Sequence, residues 1–301
     1  SWTNIYEDKN GNIVEQGSSE YENLKDKSIF KLINGRSDGI AEVQRKLFGT
    51  LYNIYGFFAL YANVDKFIAA DNTKNSIDDR IELDKWIDSK LQSLIQDVTL
   101  YYNEFEPHRA ARAIEEFVDE HLSNWYVRLS RRRFWRAEMS ADKIVAYETL
   151  FNCLTTIAQL MSPIAPFFSD WLYQSLTLKT ESVHLTNLVQ FQKKFQDKNL
   201  EERMELAQKI SSMILSIRKK ENIKVRQPLQ RIQIPILDKA YQQKIEAVSD
   251  LILDEVNVKK IHYSAFPYLD TFNRYDVKNG KLYNYKPSKF SGFGLQSTQG
   301  N

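Results

Sequence analysis

No glycine lies between Gly56 and Gly280, although the chain holds ten of them. Glycine supplies the positive φ angles and close backbone approach on which phosphate-cradling loops depend, so neither a P-loop nor a dinucleotide-binding fingerprint can exist in that interval. What the interval does carry is apolar residues recurring at helical spacing. Leu47, Leu51, Ile54, Phe58 and Tyr61 continue a stripe that starts at Ile40 and Val43, and Leu83, Ile87, Leu91, Leu94, Val98 and Tyr101 form a second. Pro107 suits the first turn of a helix, where its missing N–H is not needed, and opens a third stripe through Ala110, Ile114, Phe117 and Trp125. Ser140 is placed to cap a fourth, with Ile144, Tyr147, Phe151, Leu154, Ile157 and Leu160 on its core side. The segment SPIAP, residues 162–166, breaks that helix before FFSDWLYQSL restarts the pattern. Asn199 with Glu202 three residues on marks the start of a further helix through Leu200, Met204, Ala207, Ile214 and Ile217.

After Pro228 the period changes. RIQIPIL at 231–237 and VKKIHYS at 258–264 alternate like strands, and KAYQQKIEAVSDLIL between them reads as one helix, giving a small βαβ unit. Asn279-Gly280 sits between two aromatic-rich arms, a hairpin signal, and a weaker one surrounds Asn10-Gly11. The tail KFSGFGLQSTQGN has little to pack with and is expected to be mobile. The predicted fold is mainly α: residues 1–36 an unassigned segment with a hairpin signal, 37–227 an antiparallel helical bundle, and 228–301 a small α+β subdomain of βαβ unit, hairpin and mobile tail.

A chain of 301 residues that is 43% hydrophobic can bury a core without disulfide or metal staples. Its 41 basic and 39 acidic side chains leave a formal charge of only +2, so attraction for a polyanion has to come from local clustering. One cysteine, Cys153, excludes an internal disulfide and a paired-cysteine zinc site and fits a reducing compartment, the cytoplasm by default. There is no apolar run of membrane-spanning length and no export signal. Ser1 in place of methionine fits a piece of a longer protein.

Catalytic chemistry is hard to place. His108, His121, His184 and His262 show no metal-ligand spacing, no GxSxG turn occurs, and Cys153 lies on an apolar stripe where an inert buried thiol is the ordinary outcome. The arginines are different. WYVRLSRRRFWR, residues 125–136, sets five arginines and two tryptophans in twelve residues without an acid. At about 100° per residue Arg128, Arg131, Arg132, Trp135 and Arg136 fall within an arc of about 140°, while Tyr126, Val127, Ser130 and Phe134 face the other way. Arg133 points about 140° from Arg128, a position suited to a salt bridge. A second cluster, IRKKENIKVRQPLQR, sets Arg218, Lys219, Lys220, Lys224, Arg226 and Arg231 against the single acid Glu221. Planar guanidinium forks suit phosphate, and tryptophan beside them can stack on an exposed base. The same arginines admit a second reading, an internal network with Glu115, Glu116 and Asp119 in a helical interaction or scaffold module.

LSNWYVRLSRRRFWR with YETLFNCLTTIAQLMSPIAPFFSDWLYQSL and ESVHL closely resembles the anticodon-binding region of isoleucyl-tRNA synthetases, a branch of the class I aminoacyl-tRNA synthetases. KLFGTLYNIYGFFALYANVD upstream and ILSIRKKENIKVRQPLQRIQIPI and LILDEVNVKKI downstream are similar in the same order, so the likeness runs from about Ile40 to Tyr263. It implies a bundle that docks the anticodon stem-loop of an isoleucine-accepting tRNA. The contacts expected are Trp125, Arg128, Arg131, Arg132, Trp135 and Arg136, with Lys219, Lys220, Lys224 and Arg226 as a second surface. The HIGH and KMSKS signatures of the ATP- and Mg-using catalytic domain are absent, as is an editing insertion. No aminoacylation and no cofactor are therefore expected of this chain alone, whose partners would be tRNA and that catalytic domain, with no membrane involved. KPSKFSGFG departs from the segment the family carries after the βαβ region, and the lone cysteine excludes its C-terminal zinc knuckle.

Overall fold

The computed structural model describes residues 5–7, 13–15, 31–33, 44–69, 80–178, 180–236, 238–265, 274–278, 281–285 and 294–296, those before 44 and from 265 onward by backbone alone. Packing divides the chain into two compact units, Ser1–Ile87 with Leu91–Phe191, and Asp88–Lys90 with Gln192–Asn301.

In the first unit β1 (Ile5–Glu7) is the centre of a three-stranded antiparallel sheet with β2 (Ile13–Glu15) and β3 (Lys31–Ile33), Tyr6 lying opposite both Val14 and Leu32. Both arms of the hairpin expected around Asn10-Gly11 are thus present; the turn itself, like Ile40 and Val43, lies outside the described residues. A wide π-turn, Gln44–Gly49, leads into α1 (Thr50–Asp65), followed by α2 (Glu82–Asn103). From Pro107 to Trp135 the backbone is one continuous rod made of α3 (Pro107–Glu116), a π-helical segment Phe117–Val127, and α4 (Arg128–Trp135). Pro107 is the first helical residue, as its chemistry dictates. Ser140 caps α5 (Ala141–Met161) by accepting the Lys143 N–H at 3.2 Å, and Pro166 opens α6 (Pro166–Thr177) after the expected break.

The helical stripes meet in one core. Leu51, Ile54 and Phe58 of α1, Ile114 of α3, and Leu150, Leu154 and Ile157 of α5 are buried. Phe134 stands edge-on to Tyr147 at 4.9 Å and to Phe57 at 5.1 Å, joining α4 to α5 and α1. Ion pairs reach into this apolar setting. Lys143 is 1% exposed, pairs with Asp65 at 2.5 Å and donates to the Arg136 carbonyl at 2.6 Å, while the Tyr147 hydroxyl donates to the same Asp65 at 2.5 Å. Asp84, fully buried near the start of α2, receives Arg133 and Tyr126.

The second unit is built on α7 (Lys198–Lys220), β4 (Arg231–Ile236), α8 (Lys239–Glu246), α9 (Ser249–Val256) and β5 (Ile261–Ala265). β4 and β5 are parallel, Ile232 opposite Ile261, which is the expected βαβ crossover. Four expectations need correction. Helix α7 is capped by Asp197, which accepts the Leu200 N–H at 3.0 Å, and not by Asn199. The crossover helix is two helices, because Val248 (φ −118°, ψ 15°) leaves helical geometry while burying its side chain beside Ile245 and Ile252. The tail is not wholly without partners: β8 (Gly294–Gln296) pairs antiparallel with β4, whose other edge would otherwise offer unpaired backbone groups. Finally, the boundary expected at 227/228 falls at Phe191 in the packing, because α7 buries Met204, Ala207, Ile210 and Ile214 and packs against α8 and α9. The hairpin signal holds: β6 (Arg274–Lys278) and β7 (Lys281–Tyr285) pair antiparallel with Lys278 opposite Lys281, which leaves two residues for a turn that itself lies outside the described residues. The remainder is the mainly helical architecture that the spacing predicts.

Removing one member of a buried ion pair strands the other charge and typically costs about 3–5 kcal/mol. Asp84→Ala should lower the urea midpoint by an amount toward the low end of that range, since Asp142 remains beside Arg133, whereas Glu106→Ala in the exposed pair with Arg109 should leave the midpoint unmoved. Equal effects of the two substitutions would deny Asp84 its structural role.

Candidate nucleic-acid interface

The five arginines of the 125–136 stretch, Arg128, Arg131, Arg132 and Arg133 on α4 and Arg136 just past its end, take different courses. Arg133 is the buried one: Nη1 and Nη2 reach Asp84 Oδ1 and Oδ2 at 2.7 and 2.8 Å, and Nη2 also meets Asp142 Oδ1 and the Asp142 carbonyl, each at 2.8 Å. Desolvation opposes its charge, but the hydrogen bond to Asp84 and the surrounding negative groups outweigh it and hold its pKa above the ordinary value. The Tyr126 hydroxyl donates to Asp84 Oδ1 at 2.8 Å, and burial, reinforced by the carboxylate, pushes its pKa up. Arg133 is thus a two-pronged peg, as its angular position predicts, and its acids are Asp84 and Asp142 rather than Glu115, Glu116 or Asp119.

Arg131 and Arg132 take the opposite course. Both are exposed and neither has an ion pair among the described residues. Trp135, one turn on, is 59% exposed, so the outer face of α4 offers two unpaired guanidinium groups beside an open indole. Arg136 is not part of the helix: its backbone is extended (ψ 137°), and its side chain, largely in solvent, lies a long 3.9 Å from Asp142. Arg128 is half-buried, its guanidinium carbon 5.7 Å from the centre of the Trp125 ring.

Trp125 departs from the expected surface. It is 4% exposed, with its indole N–H unpartnered, and cannot stack on a ligand. It ends the apolar stripe of Ala110, Ile114 and Phe117, all buried, and so belongs to the core side of the rod. Its part is to hold Arg128 from beneath.

The second basic cluster belongs to the other unit. Lys219, Lys220, Lys224 and Arg226 are exposed without an ion pair among the described residues. Arg218, which sequence reasoning counted with them without giving it a role, is 1% exposed and bonds backbone carbonyls at 3.0–3.1 Å, and burial lowers its pKa. A signal for this existed: Arg218 continues the spacing of the buried residues Met204, Ala207, Ser211 and Ile214 on α7.

Catalytic alternatives gain nothing from the geometry. Cys153 is buried, His121 sits edge-on to Trp86 at 5.9 Å and near Phe117, and among the described residues no group of His, Cys, Asp and Glu could hold a metal ion. No helix among the described residues is long and apolar enough to cross a membrane.

The family described as the anticodon-binding domain of tRNA ligase matches residues 84–234, from the buried Asp84 to the middle of β4 and half of the chain. Isoleucine–tRNA ligases are similar over a longer stretch. The one from Bacteroides thetaiotaomicron is 51% identical across 82% of this chain and 21% of its own length, and that from Cytophaga hutchinsonii 54% across 75% and 21%. The more distant Clostridium acetobutylicum protein is 40% identical across 76% of this chain and 22% of its own length. The chain therefore spans about a fifth of the curated relatives it matches. A helical unit that pegs one arginine inside and turns its neighbours out to solvent thus proves to lie within a sequence that belongs to the anticodon-binding domain family of tRNA ligases.

Proposed function

We propose that this chain binds the anticodon stem-loop of an isoleucine-accepting tRNA, as one part of an isoleucine–tRNA ligase. The observation that carries the reading is the state of Arg131, Arg132 and Trp135: two unpaired guanidinium groups and an open indole on one face of a helix held from behind by Arg133 and Asp84. Such forks match the oxygens of phosphate, and an indole beside them can stack on a base splayed out of a loop. Arg136 and the half-buried Arg128 flank this face. Lys219, Lys220, Lys224 and Arg226 form a second surface for the phosphate backbone. Phosphate contacts would supply affinity that falls with salt, and stacking would supply selectivity. Trp125 drops out of the contact set because it is buried.

On this reading the chain alone aminoacylates nothing. Activation of isoleucine with ATP and Mg belongs to a catalytic domain of the same cytoplasmic enzyme, and the support is the name of the relatives and the fifth of their length that this chain covers. A scaffold whose arginines are tied up internally accounts for Arg133 but leaves Arg131 and Arg132 without a purpose.

The test is titration of the chain with isoleucine tRNA and with the same tRNA carrying altered anticodon bases. Binding should be saturable and weaker for the altered form. Trp135→Ala should reduce the preference, with about 1–3 kcal/mol of stacking lost per base, while stability stays within about 0.5 kcal/mol. Trp125→Ala should instead cost about 3–5 kcal/mol of folding stability. Equal affinity for both tRNAs would remove the assignment.

A further inference from the structure

We infer that Arg218 and Asn257 together clasp the loop at residues 221–228 and are positioning residues that present Lys224 and Arg226 to RNA; the inference rests on the tRNA-binding reading above.

Arg218 lies in the last turn of α7, is 1% exposed and meets no carboxylate among the described residues. A buried guanidinium needs hydrogen bonds to offset its lost hydration, and here backbone carbonyls provide them. Nη1 donates to the Lys224 carbonyl at 3.1 Å and the Gln227 carbonyl at 3.0 Å, and Nη2 to the Asn257 carbonyl at 3.0 Å. Asn257 completes the grip. It sits in the left-handed region (φ 51°) at the end of α9, and its Nδ2 donates to the Val225 carbonyl at 2.9 Å. Its own carbonyl, besides meeting Arg218, accepts the Leu229 N–H at 3.1 Å, where the chain leaves the loop for β4.

Carbonyls 224, 225 and 227 are thus all bound by two side chains, while the side chains of Lys224, Val225 and Arg226 are exposed, Val225 to 46%. Loop amides are tied as well, among them Ile223 N–H, which donates to the Arg218 carbonyl at 2.8 Å, and Gln227 N–H, which donates to the Lys224 carbonyl at 3.0 Å. A leucine at 218 would continue the apolar stripe without a charge to desolvate, yet could bind no carbonyl. The arginine therefore serves loop geometry. A loop whose backbone is already ordered loses less conformational freedom on binding, which makes each exposed cation more effective.

Two substitutions separate this role from general folding. Asn257→Gly keeps the left-handed backbone conformation and deletes the bond to Val225; Arg218→Met keeps a long apolar stem and deletes the guanidinium. Each is made alone and together with Lys224→Ala/Arg226→Ala, and tRNA affinity is measured against salt alongside amide hydrogen exchange. The expected result is faster exchange at Ile223 and Gln227 with the middle of α7 still protected. The slope of log affinity against log salt should flatten by up to about 2, roughly one per cation disengaged. No further loss is expected in the Lys224→Ala/Arg226→Ala background. If Arg218→Met does not fold, Asn257→Gly carries the test alone. Unchanged exchange, or losses that simply add to those of the two cations, would overturn the clasp while leaving the tRNA reading intact. Unchanged affinity in Lys224→Ala/Arg226→Ala itself would overturn both the RNA role of the loop and the positioning role built on it.

Discussion

The buried ion pair between Arg133 and Asp84 sets the rotation of α4, and the character of the basic face follows from that rotation. Turning the helix by a single residue, about 100°, would bring Arg132 toward the core and expel Phe134. Neither change is tolerable where Phe134 is 1% exposed and packed edge-on to Tyr147. As a source of stability a buried pair is ambiguous, because desolvation consumes much of the attraction; as a device that specifies one register it is effective. Tyr126 donates to the same carboxylate, so Asp84 grips the rod at its π-helical stretch and again one helical segment later. With those points held, the outward direction of Arg131 and Arg132 needs no interaction of their own.

The end of the arginine helix is controlled in a similar way. Lys143, another buried cation, pairs with Asp65 and donates to the Arg136 carbonyl, at the residue where the backbone turns extended. Tyr147 shares Asp65 and stacks with Phe67 at 4.8 Å. Asp65 of α1 and the buried Lys143 and Tyr147 of α5 therefore define where α4 stops. In the other unit Arg218 repeats the pattern with carbonyls in place of carboxylates. In each case a buried basic side chain fixes local geometry, and at Arg133 and Arg218 its exposed neighbours are what that geometry presents.

Much of this was legible in the residues. Helical spacing identifies Leu51, Ile54, Phe58, Ile114, Leu154 and Ile157 as core, and they are buried. Pro107, Ser140 and Pro166 mark helix ends through local backbone chemistry that tertiary context does not override. Other features were hidden for identifiable reasons. No local signal marks the π-helical segment, and only the family likeness puts Trp125 at the RNA surface, whereas its place on the apolar stripe with Ala110, Ile114 and Phe117 agrees with its burial. Arg133 is set apart from Arg131 by its helical angle, but its acid partner Asp84, 49 residues away in sequence, carries no local signal. The boundary between the units escaped detection because α7 carries the same helical pattern whichever neighbours it packs against; its partners turn out to be α8 and α9.

Salt dependence of tRNA binding by Arg131→Ala/Arg132→Ala bears most directly on the central claim that the exposed guanidinium groups of α4 meet phosphate. Two lost contacts should flatten the slope of log affinity against log salt by about 2, with a melting curve that overlays the parent protein. A slope identical to that of the parent would mean that these arginines touch no phosphate.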